Sequence, residues 1–181
     1  MKTFNLFKAI TLALACAALA MTTTTPAEAG VIKAHAGTTF VLTPVAFDAN
    51  GIPTKYTHTV DGVVRVSLLG NCTVHFDVIV GAPKTATDPF TLVGTCRITS
   101  ADGATTLDAE VEGTGTFDPA NSNFLNFHYD VKFTGGTGQM ANARGTADID
   151  GFAMFTSAST GKATWLLEGK VATHGHHGHD D

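Results

Sequence analysis

After its first thirty residues, the sequence lacks any apolar run long enough to cross a membrane, and charged residues are scarce throughout. Only 15% of the 181 residues are charged, and 11 basic against 16 acidic side chains give a net charge of −5. The three arginines, Arg65, Arg97 and Arg144, are far apart in the chain. Because the basic residues are few and scattered, we do not expect the protein to bind nucleic acid or anionic lipid.

The sequence also lacks a recognisable catalytic or cofactor motif. It has no phosphate-binding glycine loop, no CxxC pair and no serine, histidine and aspartate in a hydrolase context. We therefore expect no required cofactor, and the sequence favours a non-catalytic protein.

The amino-terminal segment has the organisation of a secretory signal. Lys2 and Lys8 precede an apolar run from Ala9 to Met21, and Ala27-Glu28-Ala29 supplies the small residues of a cleavage site. The apolar run is too short to span a bilayer as a helix. We expect a soluble product that is secreted or periplasmic.

Cleavage is expected after Ala29, with Ala20 as the alternative. The chain then divides into a signal peptide (1–29), a single β domain (30–172) and a disordered, histidine-rich tail (173–181). Since Cys16 leaves with the signal, the domain retains Cys72 and Cys96. An even number of cysteines in an exported protein predicts a disulfide.

Apolar residues alternate with polar ones throughout the domain, which is the signature of β-strands. The predicted strands span 38–47, 60–69, 72–80, 90–98, 107–117, 123–133, 143–155 and 162–171. Seven or eight strands joined by short turns predict an all-β fold, either an antiparallel closed β-barrel or a β-sandwich. We favour the barrel, because many inward positions are glycine or alanine, which suits a tapering interior.

Two of the strands predict a hairpin that would bring the cysteines together. When Phe76 faces Leu92 across strands 72–80 and 90–98, Cys72 lies opposite Cys96. Directly opposed residues in antiparallel strands are close enough for a disulfide. This register therefore predicts a Cys72–Cys96 bond.

Strands 107–117 and 123–133 predict a second hairpin. The register that aligns their apolar faces puts Glu112 opposite His128 and Asp108 opposite Lys132. Opposite charges that face each other contribute slightly to pairing. The same register lets Phe127 and Leu125 cover two small glycines.

Five polar residues of the predicted strands are candidates for a site. Glu112, His75 and His128 share the polar face of their strands, and Asp148 and Asp150 lie two residues apart. Alternation in antiparallel strands requires a polar outer face, so we interpret all five as solvated surface residues.

The tail is the strongest chemical feature. His174, His176, His177 and His179 are interleaved with glycine and can wrap Zn, Cu or Ni weakly, with loss of the ion as the imidazoles protonate. The alternative is a solubilising terminus without a metal.

Three aromatic residues, Phe127, Tyr129 and Trp165, lie on the apolar side of their strands. We expect them in the core, or in the wall of a pocket for a flat hydrophobic ligand. A filled interior would exclude the ligand, whereas a cavity with a buried Tyr, Glu or Asp would favour an enzyme.

The stretch from Phe133 to Phe152, TGGTGQMANARGTADIDG between them, resembles the GGTGRFxxAxG signature of allene oxide cyclase and dirigent barrels. It looks most like bacterial exported proteins with this barrel. Further counterparts are Leu69-Gly70-Asn71-Cys72-Thr73, Ser100-Ala101-Asp102-Gly103 and Glu168-Gly169-Lys170-Val171, so the resemblance covers roughly residues 60–172.

The resemblance implies a barrel of about eight strands, and an alternative function in which the interior shapes a hydrophobic intermediate. Gln139-Met140 replaces the usual basic–aromatic pair, and the cysteines are not a family feature. No catalytic residue matches, so none is carried over. We expect an exported barrel that binds a small apolar molecule or a surface partner, including another copy of itself.

Overall fold

The computed structural model describes residues 29–83, 85 and 88–173, which form a barrel of eight strands. A single 3₁₀ turn, Gly138–Met140, lies between the sixth and seventh strands. The strands are β1 (Ala29–Phe47), β2 (Pro53–Val66), β3 (Gly70–Gly81), β4 (Phe90–Ser100), β5 (Thr106–Asp118), β6 (Asn121–Gly136), β7 (Arg144–Phe155) and β8 (Thr160–Ala172).

Each strand pairs antiparallel with its neighbours in sequence, and β8 closes the barrel by pairing with β1. The β-barrel prediction is confirmed, and the β-sandwich alternative is excluded. Along nearly every strand, residues that face the interior of the barrel are buried and those that face outward are exposed. In β3, for example, Cys72, Val74, Phe76, Val78 and Val80 are all buried.

The first strand is longer than predicted. It begins at Ala29 instead of Thr38, and its first half pairs with β8 from Ala29↔Ala172 to Gly37↔Thr164. β2 also begins earlier, at Pro53. The predicted signal peptide (apart from Ala29) and the histidine-rich tail from His174 onwards lie outside the described residues.

The predicted register of β3 and β4 is wrong by four residues. Cys72 pairs with Ser100, and Cys96 pairs with Phe76. The two cysteines lie four positions apart along neighbouring strands, about 13 Å at the rise of a β-strand, which is beyond the reach of a disulfide. The disulfide prediction depended on this register, and both thiols are free in the structure.

The predicted register of β5 and β6 is wrong by two residues. Lys132 lies opposite Glu110, whereas Asp108 lies opposite Arg97 of β4 and accepts two hydrogen bonds from its guanidinium. A shift by an even number of residues keeps every side chain on its face, so alternation cannot distinguish these registers. In the closed barrel each strand pairs with a neighbour on both sides, and its register must suit both neighbours.

One end of the barrel is closed by the glycine-rich turn. Gly135, Gly136 and Gly138 have φ of 142°, 155° and 56°, as the run of glycines predicts. The backbone of the turn bonds to Thr106 of β5, and Met140 and Ala143 are buried within the core. The turn therefore covers this end of the barrel, and the positive φ angles of its backbone require glycine.

No helix in the described residues is long and apolar enough to cross a membrane.

We predict that Gly94→Ala destabilises the barrel by about 1–3 kcal/mol, as overpacking does elsewhere. A Cβ at Gly94 would lie 2.7 Å from Cα of Val78 on β3, so the two strands would have to separate. Gly37→Ala is the control, because a Cβ there meets nothing within 4 Å, and we expect a change within about 0.5 kcal/mol. Urea unfolding measures both, and equal stability of the two variants would contradict the β3–β4 register.

Candidate functional site: an apolar cavity at one end of the barrel

The interior is hollow at the end opposite the glycine-rich turn. A cavity of about 210 Å³ lies where β1, β3, β5 and β7 end and where their partners begin. Its wall is formed by inward side chains and by Ala158 of the β7–β8 connection. Period-two alternation therefore builds the cavity in the same way as it builds the core.

About half of the residues that line the cavity carry aromatic rings. The deepest are Phe76, Tyr129 and Trp165, each at most 5% exposed, with Phe76 5.7 Å from Trp165 between ring centroids. Nearer the opening, Phe117 is 37% exposed and packs against Phe90 and Phe155 at 5.5 and 5.6 Å. The wall thus presents flat apolar surfaces from the opening to the floor.

Small residues explain why space is left at this end. Ala153, Ala158 and Ala163 line the cavity, and Gly161 lies against the ring of Phe40. At the other end, large side chains such as Phe133, Ile32 and Leu107 are fully buried. The interior is therefore filled at one end and open at the other.

Few polar groups reach the cavity. Thr38 lines it, but its hydroxyl is oriented to donate to the carbonyl oxygen of Ala163 at 3.4 Å. The other lining residues with polar side-chain atoms are Tyr56, His58, Tyr129 and Trp165, and no Asp, Glu, Lys or Arg among the described residues lines the cavity. The site is consequently uncharged apart from any proton on His58.

His58 is the most unusual of these groups. It follows Tyr56 and precedes Val60 on the inward face of β2, and its ring packs edge-on against Phe40 at 5.2 Å. Neither ring nitrogen has a hydrogen-bond partner among the residues that the structure describes. Burial lowers the pKa of His58 to about 4, so the ring is neutral at neutral pH.

Tyr129 is the second polar group with an altered environment. It is 5% exposed and lies between the rings of Phe76 and Phe127. Burial raises the pKa of its phenol, which therefore keeps its proton at all physiological pH values.

The structure brings all three predicted aromatic residues, Phe127, Tyr129 and Trp165, to this one cavity. Sequence reasoning missed His58, because the second strand was predicted to begin only at Val60. The sequence did contain a signal, because Tyr56, His58 and Val60 are alternate residues and therefore lie on the same face of a strand. Tyr56 and His58 extend the inward face of β2 by two positions before Val60.

The predicted surface residues are on the outer face, as expected. His75 lies between Asp61 and Asp77 at 2.7 and 3.1 Å, and His128 lies 2.8 Å from Asp150. These carboxylates raise the pKa of both histidines, the reverse of the effect at His58. All are well exposed, so each pair contributes little to stability.

Metal ligands were predicted only in the tail, and His174, His176, His177 and His179 all lie outside the described residues. Within the described part of the chain, His128, Asp130 and Asp148 have ligand atoms within 4.8 Å of one another on the outer face. These residues are exposed, and acidic groups on a surface are common without an ion.

No protein-family model matches the chain, and no curated protein matches its sequence. Among solved structures, the chain is similar to a pterocarpan synthase dirigent protein. The TM-score is 0.49 and the identity 15%, over 82% of this chain and 88% of that one. This likeness carries no argument about activity, and the fold assignment rests on the strand pairing of this chain.

We predict that His58 makes the barrel less stable as the pH falls. An unfolded chain protonates this imidazole near its ordinary pKa of 6.5, whereas the folded chain does so only near 4. Between these values the unfolded state binds the extra proton, so stability falls by up to about 3 kcal/mol from this group. His58→Phe removes this loss, and urea unfolding from pH 7 to pH 4 measures the difference.

His75→Gln is the control, because the pKa of His75 is raised in the folded state. Its contribution is present at low pH and disappears as the pH rises through the folded pKa. The two variants should therefore diverge from the wild type with opposite slopes. Parallel curves for wild type and His58→Phe would contradict the burial of a neutral imidazole.

Proposed function

We propose that this protein is a binding protein that holds one small, mainly apolar molecule in the cavity and carries out no reaction on it. The observation that supports this most directly is the aromatic-lined space at one end of an otherwise packed interior. Empty apolar space forfeits the contacts that a packed interior has, and an apolar occupant restores them.

The volume limits the size of the occupant. An apolar cavity of about 150 Å³ is enough to bind benzene, whereas pockets for drug-sized molecules exceed about 300 Å³. A cavity of about 210 Å³ lies between these limits. The proposed occupant is therefore a molecule of one or two rings, or a short branched hydrocarbon chain.

The location of this binding is part of the proposal. The signal peptide predicted for residues 1–29 would deliver the barrel to the periplasm or the exterior. An exported binding protein fits the scarcity of basic charge, since neither nucleic acid nor anionic lipid is expected as a partner.

We predict that purified protein binds naphthalene and that Ala153→Phe weakens binding at least about tenfold by filling the cavity. Ala153 is 5% exposed and lines the cavity wall. Val63→Phe is the control, because Val63 is 71% exposed on the outer face. Calorimetry measures affinity, and the rise in melting temperature with naphthalene concentration provides a second measure.

No binding to the wild type would contradict the proposal, and so would equal binding to Ala153→Phe. If Ala153→Phe does not fold, Ala163→Leu fills the same cavity from β8 with a smaller side chain. Organic extraction of the purified protein, followed by mass spectrometry, would identify a molecule that copurifies.

A second candidate is an activity like that of cyclases or dirigent proteins, in which the cavity shapes a reactive hydrophobic intermediate. Tyr129 favours it, because a buried tyrosine in the cavity wall is the feature that an enzyme would need. Its protonated phenol could donate a hydrogen bond or a proton to an occupant.

Tyr129→Phe distinguishes the candidates, because it keeps the ring and removes only the hydroxyl. If the barrel is an enzyme, conversion of the copurifying molecule should fall by a factor on the order of 100 or more, while its binding changes much less. If the barrel only binds, that molecule should be recovered unchanged from both proteins. Chromatography of the bound molecule over time is the measurement.

A further inference from the structure

His58 lines the cavity with two ring nitrogens that have no hydrogen-bond partner among the described residues. Across the sheet it pairs with Leu42 of β1 and Val78 of β3, and neither residue can bond to its ring. Phe40 covers one side of the ring, and the cavity lies before it. Among the described residues, the imidazole is the buried side chain of the wall whose donor and acceptor atoms both lack a partner.

A hydrocarbon occupant would leave the polar atoms of this ring unpaired. Both ring nitrogens are buried without a partner among the described residues, so they have lost their hydration and gained nothing in exchange. An occupant whose hydrogen-bonding group reaches a ring nitrogen satisfies it, and that occupant gains affinity that a hydrocarbon of the same shape lacks.

We infer that the natural occupant carries one neutral hydrogen-bonding group, a hydroxyl or a carbonyl, which pairs with His58, and that His58 selects such molecules over hydrocarbons of the same shape. This inference rests on the proposed function, since it concerns the occupant of the same cavity. It assigns His58 as the specificity-determining residue of the site.

The occupant's polar group should be neutral for two reasons. The titratable groups that share the cavity with His58 are Tyr56 and Tyr129, and no cationic side chain among the described residues lines it. An anion would therefore be buried without a counter-charge, which is far more costly than burial of a hydroxyl. The depressed pKa of His58 agrees with this, because it keeps the ring uncharged at neutral pH.

Three probes of nearly equal shape test the inference at pH 7: naphthalene, 1-naphthol and 1-naphthoate. We expect the wild type to bind 1-naphthol about tenfold more tightly than naphthalene, as one net hydrogen bond predicts. 1-Naphthoate should bind most weakly. In His58→Phe the preference for 1-naphthol should disappear, while naphthalene binds as well as in the wild type or better.

Two further variants make the test specific. His35→Phe is the matched control, because His35 is exposed on the outer face of β1 and should leave all three affinities unchanged. His58→Gln retains a donor and an acceptor, so it should preserve part of the preference for 1-naphthol. If His58→Phe fails to fold, His58→Leu provides the apolar replacement.

The outcomes separate the two proposals. If no probe binds to the wild type, the proposed function fails. If all three probes bind but naphthalene and 1-naphthol have equal affinities, the inference about His58 is overturned while the cavity remains a binding site. Tight binding of 1-naphthoate would also overturn it, and so would a preference for 1-naphthol that survives in His58→Phe.

Discussion

The pairing of β8 with β1 is the interaction on which the rest of this structure depends. It runs from Ala29↔Ala172 to Val41↔Thr160 and leaves no unpaired strand edge around the barrel. Without it, β1 and β8 would present exposed edges that invite pairing with another chain. Because the sheet is closed, every inward side chain of all eight strands shares one interior, and the filling of that interior becomes a single packing problem.

That packing problem has different solutions at the two ends. Around the glycine-rich turn, Met140 and Ala143 join large buried side chains such as Phe133 in the core. At the other end, the small side chains of Ala153 and Ala163, which pair across β7 and β8, leave space that the surrounding aromatic rings do not fill. The glycine-rich motif, the most distinctive of the sequence, therefore lies at the covered end of the barrel. Binding is proposed at the opposite end, which carries no such motif.

The histidines show how strongly a side chain's face decides its chemistry. His75 and His128 point outward, each beside a carboxylate, and the pKa of each is raised. His58 points inward among aromatic rings, and burial lowers its pKa. The face on which a histidine lies thus decides its environment. His75 and His128 are exposed beside carboxylates, whereas His58 is neutral and lacks a hydrogen-bond partner among the described residues.

The sequence alone determined most of each strand and the faces of its residues, because alternation is local and is written in consecutive residues. It did not predict residues 29–37 of β1 and 53–59 of β2. It predicted the barrel, the conformation of the turn around Gly138, and the inward direction of Phe127, Tyr129 and Trp165. Only the tertiary structure decided the registers, since a shift by any even number of residues preserves every face. Cys72 accordingly pairs with Ser100, four residues beyond Cys96. It also decided the cavity and the place of His58 in it, because whether inward side chains meet depends on strands that are distant in sequence but adjacent around the closed barrel.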